Sequence, residues 1–183
     1  MNTISSCIDT LDKDLRDKYE DFCIFVEDVN ITSQVLETLW GLDSIKVSEI
    51  MTQLENKSLT VSYYSNYHNT YIYGIHVVLL RYLKQSKSID RSARHRKLIK
   101  AYESLCNSDY SKLPQDNYIF QYIGYHLQGA GYSDKFNIYY NLKFIEAKIK
   151  ATGIGDLLKD YKIYEKEIIG VSFVLFTWCN YIR

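Results

Sequence analysis

The sequence predicts a mainly α-helical protein: a winged helix, meaning a helix-turn-helix that carries a β-hairpin wing, followed by an α-helical bundle or short α-solenoid. Three observations predict it. Two short helical patterns meet at Gly41. Two runs rich in β-branched and aromatic residues, "SLTVSYY" and "NTYIYGI", flank the turn-favouring "SNYHN". Beyond "KQSKSIDRSARHR" the apolar residues recur at helical spacing throughout. The expected division is a winged-helix domain over residues 1–86, a helical domain over 87–164 and an apolar C-terminal segment over 165–183.

Between Ile4 and Phe25 the apolar residues Ile8, Leu11, Leu15, Tyr19 and Phe22 predict an amphipathic helix that runs into a β-prone stretch, "FCIFVEDV". Thr32 or Ser33 is a plausible N-cap for the next helix, which breaks at Gly41 and restarts after Asp43 or Ser44. The hairpin then leads into "YGIHVVLLRYL", an apolar helix whose first turn carries His76. In the second half, one stripe is Leu98, Ile99, Tyr102 and Leu105, and another is Tyr118, Ile119, Tyr122, Ile123, His126 and Leu127. A third holds Phe136, Tyr140, Phe144, Ile145 and Ile149. Gly129 and Gly131 are expected to stop the second of these helices, and Gly153 and Gly155 the third.

Composition narrows the function. Lys plus Arg and Asp plus Glu both number 22, so the chain lacks the overall positive charge that drives binding to a phosphate backbone or an anionic membrane. The second helix of the helix-turn-helix, "SIKVSEIMTQLENK", offsets Lys46 and Lys57 with Glu49 and Glu55 and offers no arginine for guanine. Nucleic acid is therefore not an expected partner. The basic cluster "RSARHRK" reads as a solvated linker. Cys7, Cys23, Cys106 and Cys179 are scattered without metal-ligand spacing, which predicts reduced thiols in a cytoplasmic protein and no metal site. The uncharged run from Ile168 to Ile182 is shorter than the roughly 20 residues that span a bilayer. It reads as a buried terminal element rather than a membrane anchor. "GAG" at 129–131 lacks the Lys and Ser/Thr of a P-loop, and no histidine falls in a catalytic motif. No enzyme and no catalytic residue are expected.

Four stretches then carry a resemblance: "LWGLDSIKVSEIMTQLENKSL" at 39–59, "YIYGIHVVLLRYL" at 71–83, "YIFQYIGYHLQGAG" at 118–131 and "NLKFIEAKIKATGIGDLLKDY" at 141–161. In order and spacing they resemble the winged-helix and helical domains of the apoptotic protease-activating factor family. Its members are the nucleotide-switched scaffolds of the apoptosome, built on an NB-ARC module. The resemblance implies that His76 reaches the β-phosphate of bound ADP and that Ser58, in "NKSL", lines the same nucleotide site. Both roles require a nucleotide-binding domain supplied by another segment or chain, and the chain alone is expected to hold no cofactor. It departs from the family at Val77, where an aspartate usually follows the histidine. The expected function is a non-catalytic interaction or regulatory module linked to apoptosis, with the nucleotide-binding domain of an apoptosome-like scaffold as protein partner. The alternatives are a fragment of a larger nucleotide-switched ATPase scaffold and, less favoured, a winged-helix DNA-binding protein.

Overall fold

A computed structural model describes residues 8–170. The chain forms two compact units, Met1–Arg94 and His95–Arg183.

The first unit opens with α1, Lys13–Glu20, whose N-cap Asp12 accepts from the Leu15 N–H at 2.9 Å. Leu15 and Tyr19 are buried, as are Ile8 and Leu11 just before them. The expected β-prone stretch is instead a 3-10 turn at Asp21–Ile24. Phe22, Cys23, Ile24 and Phe25 are all fully buried. A strand sends successive side chains to opposite faces, so one buried face could not hide four in a row; a tight turn wrapped by the core can.

A two-residue strand, β1 (Ile31–Thr32), feeds directly into α2 (Ser33–Trp40) with Thr32 as N-cap. Helix α2 stops at Gly41, which takes φ +63° and returns its N–H to the Glu37 carbonyl. The left-handed geometry is what glycine tolerates at no steric cost. Helix α3, Ser44–Asn56, starts at N-cap Asp43, which accepts from the Lys46 N–H at 2.9 Å. Val47, Met51 and Leu54 form its buried stripe.

The wing is β2 (Val61–Ser65) paired antiparallel with β3 (Thr70–Gly74), Val61 opposite Gly74 and Ser65 opposite Thr70. Strand β1 adds to the far side of β3, giving sheet order β1-β3-β2. Helix α4, Val77–Gln85, follows at once and buries Leu80 and Leu83. The expected order of helix, helix-turn-helix and hairpin is therefore present, with a third strand too short to leave a sequence pattern.

The second unit is helical. Helix α5, Arg91–Cys106, begins in the first unit and runs into the second. It is followed by α6 (Ile119–Ala130), a 3-10 stretch at Ser133–Tyr140, α7 (Leu142–Thr152) and α8 (Ile154–Ile163). Three details differ from the sequence reading. The buried face of α5 is His95, Leu98, Ile99, Tyr102 and Cys106, while Leu105 is exposed; helical period admits either i+3 or i+4 after Tyr102, and packing selects the latter. The third stripe spans two elements, so Tyr139 rather than Tyr140 is buried, and Lys148 occupies a core position beside Phe144.

The stop signals also divide. Gly131 and Gly153 end α6 and α7 at positive φ. Gly129 and Gly155 lie inside helices. A Cβ on Gly129 would come within 2.5 Å of the His95 ring, so this glycine serves a close approach rather than a stop. Residues 171–183, which hold most of the apolar C-terminal segment, lie outside the described residues, and Cys7 and Cys179 do too.

Candidate functional site

His76 occupies the position between β3 and α4. It is the N-cap of α4, one residue ahead of the helix, with extended backbone (φ −61°, ψ 136°). Its carbonyl accepts the first helical bond from the Leu80 N–H at 3.0 Å, and its Nδ1 accepts from the Val78 N–H at 3.3 Å. Histidine rarely caps a helix, but the geometry has a chemical consequence. With Nδ1 accepting, the neutral ring carries its proton on Nε2, which becomes a donor. Val77 supplies no carboxylate to orient the ring; the backbone of the next residue does so instead. The ring is exposed, and it borders a cavity of about 300 Å³ lined by Asp28, Asn30, Val61, Tyr63 and Leu80 among others.

Ser58 sits at the end of α3. It takes φ +58° and donates its N–H to the Glu55 carbonyl at 2.8 Å, while the Leu59 N–H reaches the Leu54 carbonyl at 3.0 Å. These two bonds, with Leu54 and Leu59 both buried, make a Schellman cap in which Ser58 holds the left-handed position glycine usually fills. Ser58 is exposed and does not line the His76 cavity. The hairpin register nevertheless relates the two. Ser58 precedes β2, His76 follows β3, and Val61 pairs with Gly74, so both lie at the open end of the same hairpin.

This cap yields a prediction. Since a left-handed L-residue costs roughly 1–2 kcal/mol, Ser58→Gly is expected to raise stability by up to about 1 kcal/mol, read from the urea midpoint. Ser58→Val, β-branched at positive φ, is expected to lower it.

Several polar clusters were invisible in the sequence. Arg94, read as part of a solvated linker, is partly buried and binds the Asp17 carbonyl (2.8 Å) and the carboxylates of Asp17, Glu20 and Asp21 at 3.0, 2.7 and 2.6 Å. Lys148 is fully buried, contacting the Phe120 carbonyl at 2.5 Å, Asp156 at 2.8 Å and Asp160 at 2.9 Å. His95 and His126 are buried against each other, Nδ1 to Nδ1 at 2.9 Å. Only His126 left a trace, a polar residue on an otherwise apolar stripe.

Burial pushes the Cys23 thiol up to about 12, despite the nearby Arg94 and Arg91, and raises that of Cys106 as well. Such thiols are poor nucleophiles. Among the described residues, no group of three or more His, Cys, Asp or Glu is arranged to hold a metal ion, and no helix is long and apolar enough to cross a membrane.

Comparison with known proteins agrees with this layout. Residues 14–83 match the family model described as "Apoptotic protease-activating factor 1-like, winged-helix domain", and residues 92–172 match "APAF-1 helical domain". The chain is 26% identical over 168 residues to apoptotic protease-activating factor 1 of Danio rerio, 24% over 164 residues to that of Rattus norvegicus and 23% over 164 residues to that of Homo sapiens. Each alignment covers 88% of this chain but 13% of the relative. The chain belongs to the apoptotic protease-activating factor family, as a winged-helix domain followed by a helical domain.

Proposed function

We propose that the chain is a non-catalytic interaction module, the winged-helix and helical arm of an apoptosome-like scaffold, and that its protein partner is the nucleotide-binding domain of such a scaffold. The domains divide at residues 86 and 87, with 165–183 as a separate apolar segment. His76 donates from Nε2 to the β-phosphate of ADP held by that domain, and Ser58 lines the nucleotide from the same hairpin end. ADP or ATP is a cofactor only of the completed site. The setting is cytoplasmic, a reading supported by Cys23 and Cys106 being free, buried thiols.

One observation carries this reading: the Nδ1 cap at the start of α4 leaves an exposed Nε2–H beside a helix N-terminus, where amide groups already favour an anion. Nucleic-acid binding gains nothing from α3, whose Lys46 is paired with the N-cap Asp43 at 3.6 Å.

The test is binding of the purified chain to the nucleotide-binding domain of an apoptotic protease-activating factor with ADP present. His76→Asn is the informative variant, because asparagine keeps the helix cap and removes the Nε2 donor. A hydrogen bond to a charged group contributes about 1.5–3 kcal/mol, so at least about tenfold weaker binding is expected. Equal binding of the variant would remove His76 from the site, and no binding of either form would remove the proposed partner.

The coverage of 13% of each relative supports a second reading, that the chain is one segment of a larger nucleotide-switched ATPase scaffold. An in-frame P-loop domain upstream in the transcript would establish it.

A further inference from the structure

We propose that the His95–His126 pair is an acid-sensitive latch of the helical unit, closed while His126 is neutral and opened when it takes up a proton. The two rings come from α5 and α6, and each helix is shaped around the contact. Both residues are buried. Gly129, inside α6, leaves room for the His95 ring, which a Cβ there would meet at 2.5 Å. Tyr125 packs edge-on against both rings, at 5.2 and 5.1 Å between centroids. His126 is held from its other side by Tyr118, whose hydroxyl lies 2.6 Å from Nε2.

The hydrogen bond between the two Nδ1 atoms requires one to carry a hydrogen and the other a lone pair. Neutral rings satisfy this with complementary tautomers. A first proton can be shared between the nitrogens, but it places a charge in a site removed from water. A second leaves two N–H groups pointing at each other, and the bond cannot survive.

Tyr118 and Tyr125 face the rings from α6 and the turn before it. Arg96, next on α5, reaches the Ala130 carbonyl at 3.3 Å. The Asp116 carboxylate is engaged by the Tyr102 hydroxyl and by the N–H groups of Tyr118 and Ile119. Burial, with a smaller contribution from His95, holds His126 well below the usual imidazole range.

The direction of the pH effect follows. A buried His126 kept neutral binds fewer protons folded than unfolded, so its contribution to stability is intact above the unfolded imidazole range and is lost as pH falls below about 6.5. The folded-to-unfolded ratio should fall about tenfold for each pH unit below that point for His126 alone. Mild acid would then separate α5 from α6 while the rest of the chain remains folded.

Urea unfolding of the full chain between pH 7.5 and 5.5, beside a His95→Asn/His126→Gln double variant, tests this directly. The wild type should lose stability on acidification more than the variant, by about tenfold in the folded-to-unfolded ratio across this range for His126 alone. Amide exchange in 95–106 and 119–130 should accelerate first. Matching pH slopes for the two proteins would overturn the latch. Should the double variant fail to fold, ring NMR of the wild type decides. His126 that stays neutral until the α5 and α6 amides lose protection supports the proposal. His126 that takes up a proton with those amides still protected overturns it.

Discussion

Lys148→Met is expected to destabilise the chain by about 3–5 kcal/mol, the scale of breaking a buried ion pair by removing one partner. Lys148 is fully buried, and its ammonium is shared by Asp156 and Asp160, whose side chains are 15% and 6% exposed. Its third contact, with the Phe120 carbonyl, ties α7 to α6. Methionine fills the same volume and leaves the two carboxylates without their cation. Asp160 also accepts from the Tyr139 hydroxyl at 2.6 Å, which partly holds the charge in place.

The pH dependence gives a second readout. Burial already raises the Asp160 carboxyl above its ordinary value, even with Tyr139 and Lys148 lowering it. A carboxyl raised in the folded state is most favourable protonated, so its contribution is present below the unfolded range near 3.8 and lost as pH rises through the folded value. Without Lys148 that value rises further. The deficit of Lys148→Met should therefore shrink on acidification, and Lys148→Met/Asp160→Asn should recover much of it at neutral pH. Urea midpoints at pH 7 and pH 4.5 check both. A single variant within 1 kcal/mol of wild type would show that the lysine is not needed to balance the carboxylates.

What the sequence made legible was local. The helix-turn-helix and wing could be read because their signals are contiguous: Asp43 caps α3, Gly41 ends α2, and β2 and β3 are alternating runs around one turn. The 3-10 turn at Asp21–Ile24 was not legible, because its conformation is set by burial on all sides rather than by its own β-prone residues. Strand β1 exists only because β3 has an edge for it to join. The polar core was hidden because of its residue types: Arg94 and His95 stand in a basic run, and Lys148, between Ala147 and Ile149, is a cation that a helical pattern reads as solvent-facing.

The candidate site divided in the same way. His76 and Ser58 could be named from motifs, and their roles came from resemblance. That the His76 ring would cap its own helix, fixing the donor nitrogen without an aspartate at 77, depended on backbone geometry no motif encodes. Ser58 showed the converse, since its left-handed cap explains its conformation without reference to any nucleotide.

Arg94→Met is the other large effect expected, about 3 kcal/mol of lost stability. The guanidinium spans three carboxylates and one carbonyl, but these are not equal. Asp17 is 59% exposed, so its share is small. Asp21 is fully buried, and its second oxygen accepts from the Trp40 indole N–H at 3.0 Å. Removing Arg94 leaves the buried Asp21 charge without its guanidinium. Arg94→Lys should restore only part of the loss, because a point charge cannot reproduce the planar fork that serves Asp21 and Glu20 at once. The effect should also be local. Asp21 opens the 3-10 turn that contains Cys23, so loosening it exposes a thiol that burial otherwise keeps protonated and inert. Faster labelling of Cys23 by a thiol reagent in Arg94→Met, with Cys106 labelling unchanged, would place the damage at α1 and its turn. Equal acceleration at both cysteines would instead mean that the arginine acts on the stability of the whole chain, and that its carboxylate cluster has no separate role in shaping the turn.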